Sequence, residues 1–135
     1  MKNVAIAIAF LGVAVTSASP AFAIKQLSDQ FKKVYAGDEA NEDFKALVGK
    51  AKCNVCHIKS TSKKKRNVYG TALHEALEEA KFPLKDFKKD QDKYAEKLKE
   101  IFKKVEEGKS GDDEHKTFAA RMKANLLPGG DADGK

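Results

Sequence analysis

Two thiols and an imidazole fall within five consecutive positions, Cys53-Asn54-Val55-Cys56-His57. This is the C-x-x-C-H spacing of covalent haem attachment. Each thiol can add across one vinyl group of the ring, giving two thioether bonds. Two intervening residues let both sulfurs reach neighbouring vinyl groups on one edge. The histidine that follows is carried under the iron, where an imidazole nitrogen becomes the proximal ligand. The spacing therefore predicts one covalent haem c, held by Cys53 and Cys56, with His57 on the iron. Other chemistries open to these residues lack their context. A thioredoxin-like dithiol needs a preceding strand. A zinc site would have to recruit His74 or His115 to the cysteines. A disulfide between Cys53 and Cys56 would close so small a loop that it would restrain the unfolded chain little.

The elements that must position this motif begin after a distinctive N-terminus. Lys2 is followed by an apolar run, Val4 to Val15, and then by Ala21-Phe22-Ala23. That order is read as a secretory signal peptide over residues 1–23, cleaved after Ala23. The run is too short for a membrane span, which needs about 20 apolar residues. Export places the protein in the periplasm or otherwise outside the cytoplasm, where haem attachment takes place. Residues 24–127 are expected to form the haem domain and residues 128–135 a flexible tail, with no membrane span left once the signal is removed.

Within that domain the apolar residues keep helical time. Ile24, Leu27, Phe31, Val34 and Tyr35 share one face, and Gly37 ends the segment. Asn41 can cap a second helix whose stripe of Phe44, Leu47, Val48 and Ala51 runs into Cys53. Ile58 to Asn67 reads as a polar loop. A third helix carries Tyr69, Leu73, Ala76, Leu77 and Ala80 and is broken at Phe82-Pro83-Leu84. A fourth covers about Asp90 to Glu107. A fifth runs from about Asp113 to Leu126, with Phe118, Met122 and Leu126 on one side. No segment alternates with a period of two. The expected class is all-α, four to five short helices around one haem, which would add apolar surface to an otherwise modest core.

An early C-x-x-C-H directly after an amphipathic helix, with further helices behind, resembles the monohaem c-type cytochromes, loosely class I. The resemblance rests on Cys53 to His57 and on helical order. It implies a one-electron carrier between larger redox proteins, not an enzyme, with a methionine or a second histidine on the distal side of the iron. Met122 is the only methionine after the signal segment. It shares a helix face with Phe118 and Leu126 and is the distal candidate, with core filling as its plainer role. His115 stands beside Asp112, Asp113 and Glu114, and His74 lies off the edge of its helix stripe. A distal position without a protein ligand would suit a protein that binds NO or CO, or is weakly peroxidatic.

The 26 basic and 20 acidic residues are interleaved and give a net charge of +6, the pattern of solvated helix faces. The run Lys63, Lys64, Lys65 and Arg66 follows the motif closely. In an exported chain it is read as a flexible loop or as a docking patch for an acidic redox partner, steered by charge, and not as a nucleic-acid contact.

Overall fold

The computed structural model describes residues 24–60, 62 and 64–135. The expected signal peptide, together with Thr61 and Lys63 of the basic loop, lies outside the described residues. Six α-helices and no strand are found among them: α1 (Lys25–Tyr35), α2 (Glu42–Ala51), α3 (Val68–Glu79), α4 (Leu84–Phe87), α5 (Gln91–Glu106) and α6 (Phe118–Lys123). A 3-10 turn over Lys52–Val55 carries the first half of the motif. The all-α class is as expected. No helix among the described residues is long and apolar enough to cross a membrane.

Short polar side chains start four of the helices. The Asn41 side chain accepts from the N–H groups of Asp43 and Phe44 at 2.8 and 3.3 Å, with Glu42 and Asp43 in the first turn, where the helix dipole favours negative charge. Asn67, Asp90 and Thr117 do the same for α3, α5 and α6. At the other end of α3, Lys81 takes a left-handed backbone (φ 47°) and the Phe82 N–H returns to the Leu77 carbonyl at 2.9 Å. That closes the helix before Pro83.

Two stretches differ from the sequence-based expectation. The fifth helix, expected from Asp113, starts only at Phe118. Asp112 Oδ1 accepts from the N–H groups of Glu114 and His115, and this local side-chain turn competes with helix over the whole approach. Residues 128–135, expected as a flexible tail, instead fold back as a strap with Pro128, Gly129 and Gly134 buried. Arg121 gathers the strap's start, donating from Nε to the Leu127 carbonyl at 2.7 Å and from Nη2 to the Gly130 carbonyl at 3.2 Å.

The core is aromatic. Phe31 of α1 meets Phe102 of α5 edge-on with ring centroids 6.1 Å apart, and Tyr69 of α3 sits against Phe31 at 5.7 Å and Phe118 at 5.2 Å. Such edge contacts add to area burial. Tyr69 is fully buried, and its hydroxyl is the one buried side-chain polar atom among the described residues without a hydrogen-bond partner. Burial pushes its phenol well above the ordinary range. A buried polar group left unpaired costs about 1–3 kcal/mol. Tyr69→Phe should therefore raise unfolding stability by about 1 kcal/mol in chemical denaturation. A loss of stability would show that the hydroxyl has a partner, such as an internal water.

Candidate functional site

The motif sits where three elements meet. Helix α2 ends at Ala51, Lys52 turns the backbone into the left-handed region (φ 51°), and the 3-10 turn presents Cys53 outward. The His57 N–H bonds back to the Cys53 carbonyl at 3.0 Å, which closes the turn. Its ring Nδ1 lies 3.3 Å from the Lys65 carbonyl across a backbone bridge between His57 and Arg66. A proton on Nδ1 would be donated to that carbonyl, the way a backbone partner fixes the ring of a histidine ligand.

Asn67 joins this turn to α3. Its side-chain N–H groups donate to the carbonyls of Asn54 and Val55 at 3.2 and 3.0 Å, its Oδ1 accepts from the Gly70 N–H at 2.9 Å, and its own N–H reaches the Cys56 carbonyl at 3.0 Å. Helix α3 can come this close only because position 70 has no side chain. A Cβ there would stand 1.9 Å from the Cys56 carbonyl oxygen. The strap grips the same turn from another direction. Lys59 N–H donates to the Asp133 carbonyl at 2.7 Å, Asn54 Nδ2 reaches the Ala132 carbonyl at 3.4 Å, and a Cβ on Gly134 would fall 2.0 Å from the His57 carbonyl oxygen.

Cys53, Cys56 and His57 line a common cleft of about 550 Å³, counted out to the solvent at its mouth. Its walls are mostly apolar, with Ile24 and Leu27 from the start of α1, Leu73 and Leu77 from α3, and Leu84. Lys52, Arg66 and His74 are its other titratable residues. The two thiols are not joined to each other. Burial, then the neighbouring Cys53, push the Cys56 thiol up to about 12, against a smaller opposing pull from Arg66. Thiols, an imidazole and an apolar wall on one cleft form a donor set that suits a covalently held haem, with Cys53 and Cys56 as the points of attachment and His57 as the iron ligand. Among the described residues no three His, Cys, Asp or Glu side chains gather so as to hold a metal ion directly.

The remaining candidates are scattered. Met122, expected as the distal ligand, packs against the core but lines a different depression, with Tyr35, Phe44 and Glu106, and shares no wall with the cleft. Helical phase placed it correctly on the inward face of α6 but could not say which neighbours that face meets. His115 lies in the 110–117 loop with Nδ1 3.6 Å from Asp112. His74, expected off the edge of its helix stripe, is in the cleft. The sequence signal for it was available: Gly70, Leu73, His74 and Leu77 follow i, i+3, i+4, i+7 spacing, and all four line the cleft. Of the basic run, Lys64 and Lys65 are exposed while Arg66 turns into the cleft.

Comparison with protein-family models, with curated proteins and with solved structures finds no match.

Two outcomes follow from this geometry. Gly70→Ala should cost about 3 kcal/mol of unfolding stability, because the clash is with backbone and cannot be relieved by a rotamer. A cost within about 0.5 kcal/mol would show that α3 can back away from Cys56. In the haem-free protein, alkylation of Cys56 should keep accelerating above about pH 9, where an ordinary thiol has levelled off, since the thiolate is the nucleophile. A plateau near the ordinary thiol range would count against the burial of that sulfur.

Proposed function

We propose that this protein is an extracytoplasmic one-electron carrier built around a single haem c. The observation that carries the reading is the placement of Cys53, Cys56 and His57 on one apolar cleft, with His57 oriented by the Lys65 carbonyl. A haem bound there supplies a ferric–ferrous couple. The chain's own residues do the rest. The two cysteines would fix the ring covalently, and a ring nitrogen of His57 would ligate the iron. Ile24, Leu27, Leu73 and Leu77 keep water from the site. Arg66 and Lys52 give the cleft a positive edge. The exposed Lys59, Lys64 and Lys65 flank the motif and would steer an acidic redox partner at low salt. No membrane span and no nucleic-acid partner enters this reading, and export through the segment ending at Ala23 belongs to it.

A second reading, binding of a small ligand such as NO or CO or weak peroxidatic activity, gains support from one placement. Met122 is outside the cleft, so no methionine among the described residues lines it. The ferric spectrum separates the two readings, since an open sixth position gives a high-spin iron.

The test is coexpression with a haem-attachment system. The denatured product should keep its colour through acid–acetone extraction, and its mass should exceed that of the apoprotein by one haem. Cys56→Ala should lose most of the holoprotein. Haem that extracts freely, or no haem at all, would refute the proposal.

A further inference from the structure

We infer that His74 supplies the second axial ligand to the iron, making the centre a bis-histidine haem. The inference rests on the haem reading above and extends it to the side of the iron for which the motif provides nothing. Among the described residues outside the motif, His74, His115 and Met122 are the histidine and methionine side chains. Only His74 lines the cleft that Cys53, Cys56 and His57 line.

Its position is fixed by the motif itself. Gly70 is pressed against the Cys56 carbonyl and tied through Asn67 to Asn54 and Val55. His74 is one helical turn beyond Gly70 on the same face. Because α3 is regular over that turn, the backbone of His74 is set relative to the cysteines rather than carried on a loop. Leu73 and Leu77 flank it along the wall of the cleft.

The local chemistry suits a ligand. His74 has a side chain only 21% exposed, and its Nε2 lies 3.4 Å from Oε1 of Glu78, the next turn of α3. The χ2 torsion of a histidine is broad and roughly two-fold, so either ring nitrogen can be turned towards the cleft. The competitors are engaged elsewhere. His115 belongs to the Asp112 loop, and Met122 faces Tyr35 and Phe44.

The test uses the holoprotein. The ferric wild type should be low-spin, with the near-infrared and electron-paramagnetic signature of two imidazoles and without the far-red thioether–iron band. His74→Ala should lose the low-spin signal, bind CO when reduced, and recover the low-spin form on addition of free imidazole, which a merely structural histidine would not allow. Met122→Ala and His115→Ala should leave the spectrum unchanged. If His74→Ala does not accumulate, His74→Met keeps the bulk and should acquire the thioether band with a raised potential. A high-spin wild type, a thioether band in the wild type, or an unchanged spectrum in either His74 variant would overturn the inference. Failure to retain covalent haem in the wild type would instead refute the haem reading on which it rests.

Discussion

Everything at the motif depends on one close approach, the backbone of α3 against the carbonyl of Cys56. A helix normally stands off its neighbours by the depth of two side chains. Here Gly70 removes one of them, and the Asn67 amide fills the remaining gap with three hydrogen bonds. Asparagine is the residue type that satisfies all three. Aspartate has no N–H to give the Asn54 and Val55 carbonyls, and an apolar residue has nothing to accept from Gly70. Each group left bare in that interior would cost about 1–3 kcal/mol.

Successive residues of α3 then divide the labour. Tyr69 enters the aromatic cluster of Phe31, Phe102 and Phe118, with its phenol close enough to the Cys56 thiol for the two to interact electrostatically, while the bare Gly70 backbone lies on the Cys56 carbonyl. The aromatic core is thus one residue of α3 away from the contact with the turn that carries the cysteines. A chemical site on a short 3-10 turn would ordinarily be soft. Here it borrows its rigidity from packing between α1, α3 and α5.

What could be read from the sequence and what could not follow a physical division. Helices with a long apolar stripe or a cap were legible: α1, α2, α3 and α5 lie where Phe31, Asn41, Tyr69 and Asp90 indicated. The short α4 was not, because four residues after Pro83 carry no period. The late start of α6 was hidden because Asp112 and Ser110 bond their own neighbourhood, and helical phase has no term for that competition. The strap was invisible for a different reason. Its order comes from partners some seventy positions away, such as Asn54 and Lys59, and glycine-rich segments give no sign of distant pairing. The motif itself was legible as five letters. The cleft's other histidine was legible only as a sharer of one face with Gly70, Leu73 and Leu77, since periodicity leaves open what that face meets.

The strap and the start of α1 together bring both ends of the described chain to one place. Ile24 is part of the cleft wall, and Gly134 rests on the carbonyl of His57. Residues 24–135 therefore run nearly in a closed ring with the motif at its clasp. A label or electrode tether attached at Ile24 or at Lys135 would emerge beside the same few residues.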